Sequence, residues 1–125
     1  MKIRQIFLLI AAIGLTPIAF SYGFMPQKSL HYLFNVSVSD TNSIHIFRAV
    51  MGLYLALVLF WITGAFKVQI RQAALYSLIV FMLGLAAGRI LSLVVDGIPH
   101  WLLVVYLVLE LVFGVLGILL IKKSD

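Results

Sequence analysis

Four long apolar stretches, each about twenty residues in length, constrain this chain more than any other feature. They cover residues 3–24, 44–66, 73–95 and 101–121. An α-helix needs about 20 apolar residues to cross the hydrocarbon core of a bilayer. Strands fit poorly, because an open sheet leaves backbone groups unpaired in lipid and a barrel needs alternating segments of about ten residues. The pattern predicts an all-α fold, an integral membrane four-helix bundle that forms one domain over residues 1–125.

The composition supports a membrane protein and excludes several soluble classes. Of the 125 residues, 64% are hydrophobic and only 10% are charged, whereas soluble domains are about 45–50% apolar and about 25% charged. So few charges cannot solvate the surface of a soluble enzyme or keep a tail disordered. The absence of cysteine excludes disulfides, cysteine-ligated metals and iron–sulfur clusters. We expect no cofactor, no metal site and, because the connections are too short to build a domain, no nucleic-acid partner.

The first apolar stretch has a second interpretation. Residues 1–5 resemble the basic start of a signal peptide, residues 6–20 its apolar region, and residues 19–21 a cleavage site between small residues. We favour a retained span, because three further spans follow and the stretch is long for a signal peptide.

Basic residues are distributed unevenly between the connections. If the helices alternate in direction, one side of the membrane carries Lys28, and the other carries Lys2, Arg4, Lys67, Arg71, Lys122 and Lys123. The side richer in lysine and arginine is normally cytoplasmic. We therefore predict that both termini and a 67–72 loop lie in the cytoplasm, and that residues 26–43 form a loop outside.

Local signals within these connections predict more detail. In the outer segment, Leu30, Leu33 and Phe34 have the spacing of a short helix at the interface. Residues 40–43 (DTNS) offer four N-cap candidates for the second span. Trp61 is predicted near the inner interface, and Trp101 at the outer one.

Three ionisable residues lie inside the predicted spans, namely Arg48, Arg89 and Glu110, and Asp96 ends the third span. At a rise of 1.5 Å per residue, the backbones of Arg48, Arg89 and Glu110 lie about 6, 9 and 13 Å below the outer boundary, respectively. Charges at such depths usually face the bundle interior and find partners. We predict a buried or half-buried cluster of Arg48, Arg89, Glu110 and Asp96.

Helical spacing extends this cluster into a candidate polar pocket. Arg89, Ser92 and Asp96 share one stripe of the third span, and Tyr106 shares a stripe with Glu110 on the fourth. The candidate ligand-binding residues are therefore Arg48, Arg89, Ser92, Asp96, Tyr106 and Glu110. The simpler interpretation is structural: Arg89 and Glu110 form an ion pair that sets helix register, and Arg48 extends to the interface.

Small residues at four-residue spacing predict close helix packing. Gly84 and Gly88 form a GxxxG motif on the third span, and Gly52 with Ala56 forms a related pair on the second. Gly114 and Gly117 share the stripe of Glu110 on the fourth span. Packing is the interpretation we prefer for all six residues.

Three short motifs together resemble a known family. Residues 47–54 read FRAVMGLY, residues 88–92 read GRILS and residues 96–99 read DGIP. They resemble the small four-span bacterial membrane proteins of domain-of-unknown-function family 4345, over most of the chain. Similarity to the DoxX-like small membrane proteins extends only to size and span number. The family resemblance implies a retained first span, a multi-pass protein of the bacterial inner membrane and no established reaction, and it highlights Arg48, Gly52, Tyr54, Gly88, Arg89, Ser92, Asp96, Gly97 and Pro99.

Three function classes follow from these observations. The favoured one is a non-enzymatic membrane protein whose outward-facing polar pocket binds membrane lipid, a quinone or a small anionic ligand, or docks a partner membrane subunit. The alternative is a small proton-coupled transporter that acts as a homo-oligomer through Glu110. An enzyme is third, because the chain lacks the metalloprotease, phosphate-loop, nucleophile-elbow and cysteine-pair motifs, although Asp96, His100 and Tyr106 lie near one another in the predicted topology.

Overall fold

A computed structural model of the protein describes residues 2–123. In this range the chain forms five α-helices and no strand. The helices are α1 (Ile3–Gly23), α2 (Pro26–Phe34), α3 (Thr41–Phe66), α4 (Val68–Val95) and α5 (Trp101–Ile121). The all-α fold predicted from the sequence is confirmed.

Four of the helices, α1, α3, α4 and α5, are long and apolar enough to cross a membrane. The bounds of α5 are those predicted, and α1 ends one residue early. The predicted 67–72 loop is wrong, because Lys67 alone separates α3 from α4. Hydropathy marks only the apolar part of a helix, whereas backbone hydrogen bonding continues into flanking polar residues.

The connection between α1 and α3 contains the short helix that the spacing predicted. Helix α2 ends at Phe34, and the left-handed backbone of its C-cap residue Asn35 (φ 58°) turns the chain away. Asp40 is the N-cap of α3: its carboxylate accepts from the amide of Ser43 at 3.0 Å and from the hydroxyl of Ser43 at 2.7 Å. These two bonds to the carboxylate lower the pKa of Asp40 below its ordinary value of 3.8. After α4, Gly97 takes a positive φ (101°), a conformation that glycine adopts without strain.

The long helices pack in chain order, α1 against α3, α3 against α4 and α4 against α5. Leu8, Leu75 and Leu78 are fully buried at the centre of the bundle. Trp61 is buried with them and donates from its indole nitrogen to the hydroxyl of Ser77 at 3.0 Å. The prediction of Trp61 as an interface residue is therefore wrong; the ring packs between helices because Ser77 satisfies its only donor.

Helix α2 covers one end of the bundle. Its buried residues Leu30 and Phe34 pack with Val38 against side chains of α1, α3 and α5. The ring of Phe34 stacks on Tyr22 of α1 at 6.4 Å and meets Tyr106 of α5 edge-on at 6.0 Å. Helix α2 therefore bridges α1 and α5 at this end.

Glycines permit close packing at several places, but only partly where the sequence predicted it. A Cβ on Gly114 or Gly117 would collide with Leu83 or Ile79 of α4, so both glycines allow α5 to lie close to α4. Gly64 is equally tight against Ala74.

The packing role predicted for the other small residues is wrong within this bundle. Gly52, Ala56, Gly84 and Gly88 are exposed, and a Cβ on any of the three glycines would meet open space. Small residues at four-residue spacing allow another helix to approach closely. Whether a neighbour lies against that face depends on how the helix is rotated in the bundle.

Candidate functional site

The candidate site is centred on an ion pair between α4 and α5. The Nε atom of Arg89 donates to both carboxylate oxygens of Glu110, at 2.9 and 3.1 Å. Glu110 is buried at 7% exposure, and the Arg89 side chain is 21% exposed. The structure thus brings together the two residues whose depths predicted a contact. A paired carboxylate and guanidinium avoid the cost of isolated charges in an apolar surrounding.

Three tyrosines from three different helices surround this ion pair. The guanidinium carbon of Arg89 lies 5.8 Å from the ring centroid of Tyr106, within the range of cation–π attraction. Tyr54 of α3 is buried at 5% exposure and meets Tyr22 of α1 edge-on at 5.6 Å. Tyr22 lies beside Arg89 as well. The sequence pointed to Tyr106 and Tyr54 but not to Tyr22, since no charge or motif on α1 marks it.

A cleft of about 530 Å³ opens between α1 and α5, with the ion pair in its inner wall. Apart from Arg89, Glu110, Tyr54 and Tyr106, its lining is apolar: Ile10, Ala11, Gly14, Leu15, Ile18, Met82, Leu85, Leu109 and Phe113. Gly14 is exposed, and a side chain at this position would meet open space. Phe7 and Phe113 stack at 5.5 Å and join α1 to α5 beside the cleft. The cleft thus has apolar walls, a polar floor and an opening between two spanning helices.

A second, smaller cavity of about 390 Å³ lies between the last turns of α4 and the first turns of α5. Arg89 lines it too, together with Ser92, Leu93, Pro99, Leu103, Val104 and Leu107. The Arg89 side chain therefore separates two cavities.

Arg48 does not join the predicted cluster, which corrects the sequence analysis. Its Nη1 atom donates to the backbone carbonyls of Gly23 at 3.1 Å and Phe24 at 3.3 Å. These carbonyls lie at the C-terminal end of α1, where helix carbonyls lack partners and carry partial negative charge. The close approach of Gly23 to Phe47 and Met51 brings them within reach.

Asp96 also lies outside the ion pair. Its carboxylate accepts from the hydroxyl of Ser92 at 2.7 Å, and both residues are exposed. The helical stripe was correct, because Ser92 and Asp96 do meet one turn apart on α4. The two candidates nevertheless bond to each other and not to Arg89, because residues one turn apart on a helix are close neighbours.

Two further arginines are buried, although their positions in the sequence indicated only membrane topology. Arg71 donates to the carbonyls of Gly64 at 3.0 Å and Ala65 at 2.9 Å, at the end of α3. Arg4 donates to the carbonyl of Lys123 at 2.7 Å and to the side chain of Gln72. Each is 6% exposed. These contacts join four helix ends, which places both arginines in a structural network away from the cleft.

Comparison with known proteins identifies a family but no activity. No curated protein and no solved structure matches the chain. A family model matches residues 3–121, nearly the whole chain and all four apolar helices, as the motifs around Arg48, Arg89 and Asp96 predicted. The chain belongs to the family described as domain of unknown function 4345 (DUF4345).

Proposed function

We propose that this protein is a single-domain, multi-pass protein of the bacterial inner membrane that binds a lipid-like ligand in the cleft between α1 and α5. The cleft is the observation that carries the proposal. It opens between two helices long and apolar enough to span a membrane, so a ligand dissolved in the bilayer reaches it without crossing water. Sites for small molecules typically have apolar walls and a few polar groups that orient the ligand.

The polar floor defines the head group that fits. Arg89 and Glu110 together carry no net formal charge, and Nε of Arg89 is engaged by the carboxylate. Tyr106 and Tyr54 add hydroxyl groups that donate or accept hydrogen bonds. This arrangement favours an amphipathic molecule with hydrogen-bonding oxygens on its head over a free small anion. The apolar walls along α1 and α5 would hold its hydrocarbon tail.

The charge distribution supports an orientation for the site. Lys2, Lys67, Lys122 and Lys123 lie at the bundle end that Arg4 and Arg71 tie together, whereas Lys28 lies at the other. Applied to this distribution, the positive-inside rule supports a cytoplasmic location for both termini. The cleft floor then belongs to the outer half of the membrane.

Two other proposals have less support. A partner membrane subunit or a second copy of this chain would fit the exposed small residues, since Gly52, Ala56, Gly84 and Gly88 all allow close helix approach. A proton-coupled transporter would use Glu110, which lines the cleft. The lipid-like ligand remains the better supported proposal, because the cleft provides both its tail site and its head site within one chain.

Ligand-dependent thermal stability of the purified protein tests the proposal. The probes are phosphatidylglycerol, cardiolipin, a short-chain quinone and inorganic phosphate, each added to protein in a mild detergent. A molecule that binds only the folded state raises the melting temperature. We expect at least one amphipathic probe to do so and phosphate alone to have no effect. A response to phosphate equal to the lipid response would instead support a small-anion site.

Two glycine variants locate the response. Gly14→Leu places a side chain in open space beside the cleft, and Gly84→Leu makes the same change at an exposed position that does not line it. We expect Gly14→Leu to lose the ligand-dependent rise in melting temperature, and Gly84→Leu to retain it. Equal responses in both variants, or in wild type and Arg89→Ala, would contradict binding in this cleft.

A further inference from the structure

The smaller cavity between α4 and α5 suggests that the ion pair is reached from two sides. Its lining runs from Pro99, in the turn between these helices, down to Arg89 and Leu107. Ser92 and Asp96, beside the turn, are both exposed. Arg89 lies about 9 Å from the end of α4, at 1.5 Å per residue. The cavity thus joins the turn, at an end of the spanning helices, to a buried charge.

The guanidinium at the bottom of this cavity requires polar surroundings. Nε of Arg89 takes part in the pair with Glu110, and the same guanidinium lies beside Tyr22 and over the ring of Tyr106. Charged side chains inside a membrane protein face either a partner or a water-filled cavity. The cavity is open to its surroundings and carries polar groups at Arg89 and Ser92, and water occupies cavities that are both roomy and polar.

We propose that this smaller cavity is an aqueous vestibule, which admits water and small hydrophilic solutes from the 97–100 turn down to Arg89. Its polar groups are the Arg89 guanidinium and the Ser92 hydroxyl, with the Asp96 carboxylate bonded to Ser92 at its edge. These charges have opposite sign, so the vestibule takes water and neutral solutes without selecting anions. Arg89 then lies between the membrane-facing cleft and the aqueous vestibule. A ligand head group in the cleft is separated from this water only by the Arg89 side chain.

Cysteine labelling tests the vestibule directly, because the chain has no native cysteine. Leu107→Cys places a thiol in the vestibule, and Val108→Cys places one a single residue further on, at a position 54% exposed on the outside of α5. Val104→Cys is a second vestibule variant and Val105→Cys its neighbour on the outer face. The probe is a membrane-impermeant, hydrophilic methanethiosulfonate, applied to the protein in lipid nanodiscs, where both membrane faces are accessible.

The thiolate is the reactive form and exists only where water stabilises it, so we expect the vestibule cysteines to react at least about 10-fold faster than their outer neighbours. Equal rates within both pairs, or faster reaction at positions 105 and 108, would overturn the proposal. Val104 is only partly buried, so its variant reports even where Leu107→Cys does not fold. The result does not depend on any ligand in the cleft, so failure here leaves the proposed function standing.

Discussion

The two halves of the bundle use buried arginine in different ways. In the packed half, which contains Arg4, Arg71 and Gly64, guanidinium groups bond to carbonyls at helix ends, and the helices touch. In the cavity half, which contains Arg89 and Glu110, the guanidinium bonds to a carboxylate and two cavities adjoin it. Helix-end carbonyls lack partners within their own helix and carry partial negative charge, so they accept readily from a guanidinium. A carboxylate partner creates a polar site where the helices remain apart.

The seam between α1 and α5 shows the same contrast along its length. Arg4 reaches the carbonyl of Lys123 and Phe7 stacks on Phe113, so the seam is closed in the packed half. Past Phe113 the two helices separate to form the cleft, and Phe34 of α2 bridges them again at its far end. Contacts between α1 and α5 at one end of the seam, and through α2 at the other, thus leave the cleft open between them.

Breaking the ion pair of the cavity half is expected to have the largest effect. Arg89→Met leaves the Glu110 carboxylate buried without its cation, which typically costs about 3–5 kcal/mol in the free energy of unfolding. Replacing both partners with methionine removes that unpaired charge and is expected to recover most of the loss. Unfolding by titration with sodium dodecyl sulfate in mixed micelles measures both. A double variant no more stable than Arg89→Met would show that the pair is not a coupled unit.

Removing an arginine of the packed half is expected to lower the free energy of unfolding by a smaller amount. Arg71→Met deletes the bonds to the carbonyls of Gly64 and Ala65, and bonds to a charged group contribute about 1.5–3 kcal/mol. Gln5 still donates to Ala65 at 2.9 Å, so this carbonyl keeps a hydrogen-bond donor in the variant. Lys67→Met, at an exposed neighbour, is the control. A loss in Arg71→Met greater than that in Arg89→Met would reverse the proposed difference between the halves.

The smallest effect is expected at the N-cap of α3, on the surface of the cavity half. Because the Ser43 bonds lower the pKa of folded Asp40, its stabilisation is fully present above the ordinary value of 3.8 and is lost as pH falls through the lower folded value. Asp40→Ala should therefore increase amide exchange at Ser43 at neutral pH, whereas Asp40→Asn, also a good cap, should not. Hydrogen exchange read by mass spectrometry checks both. If amide exchange at Ser43 still increases at low pH in Asp40→Asn, a titrating group other than Asp40 causes that increase.

The candidate site was predictable only as far as depth and helix face determine it. Arg89 and Glu110 lie at similar depth on neighbouring antiparallel helices, and their contact followed from that. Arg48 has the same chemistry and nearly the same depth, yet it bonds to Gly23 and Phe24, because carbonyls at a helix end lay closer than the carboxylate. Tyr22 carried no signal at all, since its role depends on α1 lying beside α3.

The sequence by itself determined the four apolar helices and limited the N-cap of α3 to residues 40–43, because both depend on a local run of residues and on backbone geometry. Tertiary structure alone decided which arginine meets Glu110, which glycines are packed and where the cleft opens. These outcomes depend on the rotation and neighbours of every helix at once. The packing of all the helices together sets the rotation of each one, so the rotation cannot be inferred from any single stretch of the sequence.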